Sequence, residues 1–417
     1  MAPRKSLALL LFVALLWTGC GPATPAFECS DANGCVEVAP GEPVKIGVLQ
    51  ALSGDMAPQG QELLRCVELA VAERSNELLG HPLELVSADS LCSGEGGTTA
   101  ALKIVADPQI VGIVGPTCSG AAATAMDVVA KAGLTMISSS SSSPSLTSVG
   151  GERGANWQPG FFRTAQNDSF SGRAAAIFAF EVLGVRRAAL IDDGGSYTRG
   201  LTDTFKKAFT DLGGQVVLAA AINKGDTDMQ PVLTAVAMSS AELLFFVVYR
   251  PEGDYIVLQA RDIDGLEDVT LMTAEGLYFE SFVQAVGEAG VGLYFNAPAT
   301  PEGPAYDAFV ARYKATYPES AIATPYVAHT YDAINLLLDT IGAVAAQDRD
   351  GTLHIGRQAL RDALHATAKY QGLTGSLTCD QYGDCGAIRI QVTRLDDPAA
   401  GMAGLEANVV YTYPPEE

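Results

Sequence analysis

The chain has 417 residues, enough for two ordinary domains with full cores. Its composition, 48% apolar and 7% aromatic, is globular and excludes a disordered or fibrous chain. Acids outnumber Lys and Arg by 48 to 26, giving a formal charge of -22 with no basic stripe, which excludes nucleic acid as a partner.

The N-terminus carries Arg4 and Lys5, an apolar run from Ser6 to Trp17, and then Thr18-Gly19-Cys20. Two charges, a short apolar core and small residues make residues 1–19 a secretory signal peptide, too short to span a bilayer. A Cys placed directly after Thr-Gly resembles the lipobox of bacterial lipoproteins, whose Cys becomes the diacylated new N-terminus. Trp17 stands where that motif usually has Leu. The alternative is an ordinary signal peptide in which the Cys is incidental. Residues 20–43, opening on Gly21-Pro-Ala-Thr-Pro-Ala26, read as a tether lipidated at Cys20. This predicts a membrane-anchored lipoprotein on the periplasmic or extracellular face.

From Val44 short apolar runs alternate with helical patterns. Val44 to Leu49, Leu83 to Ala88, Ile110 to Val114 and Leu134 to Ile137 read as strands. Gln61 to Leu79, Gly97 to Ala106 and Gly120 to Ala132 read as helices. Such alternation predicts a parallel sheet with helices on both faces. After Phe161 to Ala165 the pattern restarts, with strands at Arg187 to Ile191, Val216 to Ile222, Leu243 to Val248 and Val269 to Met272. The fold class is therefore α/β, with two doubly wound parallel sheets. The tail holds three successive helical patterns, Pro304 to Tyr317, Tyr326 to Val344 and Arg357 to Ala368. Strand-like stretches at Ala387 to Val392 and Asn408 to Tyr413 follow. The pattern does not say onto which sheet they pack.

Cysteines are eight, as suits an oxidising compartment. Cys29/Cys35 and Cys379/Cys385 each close a short loop. Neither pair is a Cys-x-x-Cys, and His81, His329, His354 and His365 are scattered, so neither a metal site nor a cofactor is expected.

Ligands in open parallel sheets sit beyond the carboxyl ends of the strands. There stands Gly115-Pro-Thr-Cys-Ser-Gly120, which lacks the Lys-Ser/Thr of a phosphate loop because Ala121-Ala122 follow. It opens a helix, and reads either as a seat for a carboxylate or as a plain Ser119 N-cap. The run Ser138 to Ser143, closed by Pro144, reads as a hydroxyl-lined loop rather than a linker, since it directly follows a buried strand. On the second sheet Asp192 to Gly200, Tyr249-Arg-Pro-Glu-Gly253 and Thr273-Ala-Glu-Gly276 occupy the equivalent places. Arg250 either extends a pocket or is a solvated loop residue. No Gly-x-Ser-x-Gly is present, and the Asp192/Asp193 carboxylates are adjacent and diverge, so catalysis is not expected.

The opening Ile46 to Gly54, the Gly115 to Gly120 turn, Phe162-Arg-Thr164, Asp193 to Gly200, Tyr249 to Gly253 and Ala274-Glu-Gly276 occur in one order over Val44 to Tyr413. In this the chain resembles the substrate-binding proteins of branched-chain amino-acid ABC transporters, of the type I periplasmic binding fold. The resemblance implies two lobes, 44–164 with 298–374 and 165–297 with 375–413, joined by hinges near 162–165, 297–299 and 373–377. It implies that Ser119, Ser140 and Ser142 receive a ligand carboxylate, that Glu275 and Tyr197 meet its ammonium, and that Tyr249 lies along its side chain. Gln59 stands where branched-chain binders can present an aromatic residue. The resemblance also implies a Cys92–Cys118 disulfide, with Cys66 left as the odd thiol. The expected role is a monomeric, non-enzymatic receptor handing a small solute, an amino acid, to a membrane permease. The alternative is a sensory subunit of the same fold that reports to a signalling partner.

Overall fold

A strand covered on both faces has no solvent side to alternate with, and the uninterrupted apolar runs form such strands. In the computed structural model, which describes residues 27–319, 322 and 324–414, Ile110–Val114 and Leu243–Val247 are buried along their whole length. The first sheet runs in the order Glu77–Leu78, His81–Asp89, Val44–Gln50, Ile110–Val114, Met136–Ser138 and Phe161–Arg163, parallel apart from the two-residue edge. The second runs Gln215–Ala221, Arg187–Asp192, Leu243–Val247, Thr270–Ala274, Tyr294–Pro298, Ile390–Arg394 and Val409–Tyr413. Its first five strands are parallel and its last two antiparallel. Residues 1–19, read as a signal peptide, and Cys20 lie outside the described residues.

The tail divides between the lobes. Helix Val327–Val344 buries Ile334, Leu337 and Ile341 in the same core as Ile46 and Val48 of the first sheet. Phe309 and Tyr313 of helix Pro304–Thr316 pack on Cys66 and Leu69. The two tail strands complete the second sheet instead. A fully buried Leu or Phe contributes roughly 1.5–3 kcal/mol relative to exposure, so this returning helix is a large part of what holds the first lobe.

Three expectations need correction. The first helix is Ala57–Glu73, not Gln61 to Leu79. Pro58 starts it, while Ser75, Asn76 and Leu79 take left-handed backbone angles that turn the chain into the edge strand. The tether is structured over its later part: Cys35–Val38 pairs with Leu353–Gly356 and buries Val36 and Val38. Finally, Gly375–Leu377 is half of a hairpin, and Leu377, Cys379 and Cys385 lie in the first lobe's core. The third crossing therefore falls at 386–389, because an irregular disulfide loop gives no periodic signal of which sheet it serves.

The three crossings run side by side. Arg163 N–H donates to Gly383 O, Cys385 N–H to Arg163 O and Ala299 N–H to Arg389 O, each at 2.9 Å. The Arg163 side chain is fully buried, ion-paired to Asp384 at 2.5 Å and donating to the carbonyls of Ser141 and Ser143 at 3.0 and 2.8 Å. One arginine thus ties hinge, disulfide loop and serine run together. Disulfides join Cys29–Cys35, Cys92–Cys118 and Cys379–Cys385, and Cys66 is buried and free. Among the described residues no helix is long and apolar enough to cross a membrane, and no cluster of metal-ligating side chains occurs.

Candidate functional site

The carboxyl ends of the two parallel sheets face each other across a cleft. Gln59, Ser119, Ser140 and Ser142 of the first lobe and Tyr197, Tyr249 and Glu275 of the second all line one cavity of about 20 Å3. Met56, Thr117, Gly276 and Tyr326 complete its wall. Met56 and Cys118 also pack into the hydrophobic core of the second lobe, so the lobes are drawn together.

Strand Ile110–Val114 ends in Gly115, where φ is +115° and a Cβ would overlap the Leu49 carbonyl, so only glycine lets the chain turn there. The turn leads to Cys118, held by its disulfide, and into helix Ser119–Lys131. N–H groups in a helix's first turn have no intrahelical acceptor and carry the positive end of its dipole. Ser119 Oγ accepts the Ser143 N–H at 3.1 Å, which leaves its own proton to donate. The serine run folds onto this turn. Ser138 and Ser141 hydroxyls donate to Pro116 O at 2.8 and 2.9 Å, and the Ser140 hydroxyl to Thr117 O at 2.9 Å. The Ser142 hydroxyl donates to Asp168 Oδ2 at 2.8 Å. With their protons committed, Ser140 and Ser142 present lone pairs to the cavity, which suit an N–H donor better than a carboxylate.

The second wall is built from ionisable groups. Tyr197, in the first turn of helix Ser196–Asp211, accepts the Gly276 N–H at 3.2 Å, and its ring lies 5.4 Å from that of Tyr249. Glu275 follows strand Thr270–Ala274 and is 4% exposed. Its Oε1 accepts a long bond of 3.4 Å from the Tyr326 hydroxyl, and its Oε2 has no partner. Arg250 turns away, paired with Asp254 at 2.6 Å and donating to Ser281 at 2.5 Å.

Behind the wall, Asp168 accepts from Ser142 and was not expected near the site. It opens helix Asp168–Ile177 just past the first crossing, is fully buried, and leaves Oδ1 without a partner. In sequence it reads as an acidic first-turn residue behind the N-cap Asn167, whose side chain does accept the Ser169 N–H at 2.8 Å. Tyr326 was hidden likewise, as the first aromatic of an apolar helix pattern. Burial raises the Asp168 carboxyl to about 7 against the pull of Ser142 and Arg163. Burial and then the charge of Asp168 raise Glu275 to about 8. Burial pushes Tyr197, Tyr249 and Tyr326 well above the usual tyrosine range. Neither carboxylate forms an ion pair among the described residues, and Arg163 is engaged by Asp384. One end of the cavity thus offers the Ser119 hydroxyl and a helix N-terminus, and the other the unpartnered carboxyl oxygen of Glu275, with Asp168 buried behind Ser142.

Residues 43–388 match the model of the periplasmic binding protein family. The Leu/Ile/Val-binding protein BraC3 of Rhizobium johnstonii is 28% identical over 350 residues, covering 82% of this chain and 88% of the relative. A leucine binding protein from Thermotoga maritima superposes with a TM-score of 0.74 at 24% identity, over 85% of this chain and 96% of its own. A solute binding protein from R. palustris solved with benzoate superposes with a TM-score of 0.71 at 20% identity, over 85% and 93%.

Proposed function

The chain belongs to the periplasmic binding protein family, and from that premise we propose that it captures an amino acid between its lobes and delivers it to the permease of an ABC importer. The observation that carries this reading is a cavity with the Ser119 hydroxyl and a helix N-terminus on one wall and the unpartnered buried carboxyl of Glu275 on the other. That polarity complements a zwitterion. Ser119 and the helix N-terminus receive the carboxylate, Glu275 and Tyr197 face the ammonium, and Tyr249, Met56 and Gln59 surround the side chain. The relative named for leucine, isoleucine and valine supports an aliphatic side chain. The benzoate-bound structure supplies a rival ligand class. An aromatic acid brings no cation to Glu275, however, and would add a negative charge beside a buried carboxyl.

The ligand spans both walls, so it favours the closed arrangement over any open one by the contacts only closure provides. Bonds from Ser143 Oγ to Ser196 O at 2.8 Å and from Tyr326 to Glu275 already bridge the cleft. The receptor works as a monomer outside the cytoplasm, held to the membrane by lipid on Cys20.

A thermal-shift screen tests the reading. L-leucine, L-isoleucine or L-valine at 100 times the dissociation constant should add about 2.7 kcal/mol of stability. Stabilisation by benzoate with none from any amino acid would refute it. Mass spectrometry of the membrane fraction should find a diacylated Cys20, and Cys20→Ala should leave the protein soluble.

A further inference from the structure

Helix Ser196–Asp211 of the second lobe carries a glycine near its start, at Gly200. Glycine is a poor helix former, and this one has no left-handed angle to demand it. The space beside it supplies the reason. A Cβ there would lie 3.1 Å from both Pro144 Cδ and Ser143 Oγ of the first lobe. Neither neighbour can give way. Pro144 is buried and opens the short turn Pro144–Leu146. Ser143 is fully buried, with its N–H donating to Ser119 Oγ at 3.1 Å and its carbonyl accepting from Arg163 at 2.8 Å. The helix cannot retreat within its own lobe either, being packed so closely on helix Asp168–Ile177 that a Cβ at Gly172 would overlap Thr204. Around this contact hydroxyls join the lobes. Ser143 Oγ donates to Ser196 O at 2.8 Å, and Ser145 Oγ and Ser143 Oγ lie 3.2 and 3.1 Å from Ser196 Oγ. Beside this seam the lobes wall a cavity of about 450 Å3, with Val149 and Asn156 on the one and Arg199 and Lys207 on the other.

We infer that Gly200 is a positioning residue for ligand capture: lacking a side chain, it lets the second lobe seat on Ser143 and Pro144, and that seat fixes the separation of the two walls. The inference rests on the capture reading above and goes beyond it by placing control of affinity outside the cavity, whose wall does not include Gly200. Continuity of the chain carries the seat to the ligand contacts. Ser143 adjoins Ser142 and holds Ser119 through its N–H, while Ser196 adjoins Tyr197, and Ser119, Ser142 and Tyr197 line the cavity. Bulk at position 200 therefore moves Tyr197 away from Ser119 without touching either. The seam bonds run from protein to protein, so they favour closure whatever occupies the cavity. A looser seat lowers the population of the closed arrangement, and apparent affinity falls by the same factor.

The test uses the intact mature protein, with L-leucine as the probe. Gly200→Ala and Gly200→Val add bulk in two steps, and both residues suit a helix better than glycine does. Affinity by calorimetry should fall about fivefold and then about thirtyfold or more, as for overpacking a closed contact, with the loss in the dissociation rate. Small-angle scattering of the ligand-free protein should show a larger radius of gyration for Gly200→Val than for wild type, with secondary structure by circular dichroism unchanged. Wild-type affinity and scattering in Gly200→Val would overturn the inference. So would weaker binding at an unchanged radius of gyration, which would mean damage to the site rather than to closure. Should Gly200→Val fail to fold, Ser143→Ala decides. It removes the 2.8 Å bond without adding bulk and should weaken binding about fivefold, and wild-type affinity there would overturn the inference. Failure of every L-amino acid to bind the wild type would refute the amino-acid reading instead, and the scattering of wild type against Gly200→Val would still decide the seat.

Discussion

The two walls of the cleft meet one ligand on opposite principles. On the first-lobe wall the serine hydroxyls are engaged with backbone or neighbouring side chains, and Cys118 is pinned by its disulfide. That wall is finished before any ligand arrives. The second-lobe wall is left incomplete, with Glu275 Oε2 buried without a partner. The contrast separates rigidity from affinity. A carboxylate can be held by neutral, preorganised dipoles, whereas a buried ammonium needs a countercharge that is costly until the ammonium comes.

Glu275→Gln bears on this contrast most directly. It should weaken amino-acid binding by about 2–5 kcal/mol, as for breaking a desolvated charge pair. The same substitution should raise the melting temperature of the ligand-free protein at pH 8, since it removes a buried group that must ionise there. Undiminished binding, read by calorimetry, would mean that the second wall is no charge receptor. The first wall is probed by Cys92→Ser with Cys118→Ser. Removing a disulfide that spans 26 residues should cost about 2–4 kcal/mol in a denaturant melt and loosen the carboxylate seat. Full affinity in that variant would show that preorganisation there is not needed.

The two walls should also differ in their response to pH. Asp168 and Glu275 have folded values above their unfolded ones, so their contribution is complete below the ordinary carboxylate range and is lost as pH rises through about 7 and about 8. His329 acts the other way: burial lowers it to about 4, so stability is lost as pH falls below about 6.5 toward that value. Melting temperature without ligand should decline from pH 6 to 8, at up to about 1.4 kcal/mol per unit for each proton involved. Saturating ligand should flatten that limb. An unchanged slope with ligand bound would break the link between the carboxyls and the site. The smallest effect belongs to Ser119→Ala, which removes one neutral donor and should cost about 1 kcal/mol of binding by titration, with no change in pH slope.

Much of this was legible because the sheets are parallel. Residues behind strands had to face a cleft, and that rule pointed to the segments holding Ser119, Tyr197, Tyr249 and Glu275, while the resemblance singled out the residues, all of which line the cavity. Gln59 was named by the resemblance, and it lies buried in the cavity wall. Asp168 escaped because an acid in a helix's first turn satisfies the dipole there and needs no further reason. Tyr326 escaped because helical periodicity does not distinguish a core aromatic from a cleft aromatic. The serine run was seen as a donor surface, yet Ser138, Ser140 and Ser141 spend their protons on the turn beneath, Ser142 on Asp168 and Ser143 on Ser196 O. The hydroxyl count was legible, but the direction of each bond was not.

The side-by-side crossings have a consequence for the order in which the chain can mature. The first sheet is complete by Arg163, but two of the helices that pack on its lobe, Pro304–Thr316 and Val327–Val344, and the disulfide loop that closes its hinge, come after residue 300. The second sheet waits for its last two strands, Ile390–Arg394 and Val409–Tyr413. Growing from the N-terminus, neither half has its full core until the final stretch is made. A premature stop anywhere before about residue 390 therefore strands two half-built bodies rather than releasing one sound one, and a proteolytic quality check need only sense the last thirty or so residues to judge the whole molecule.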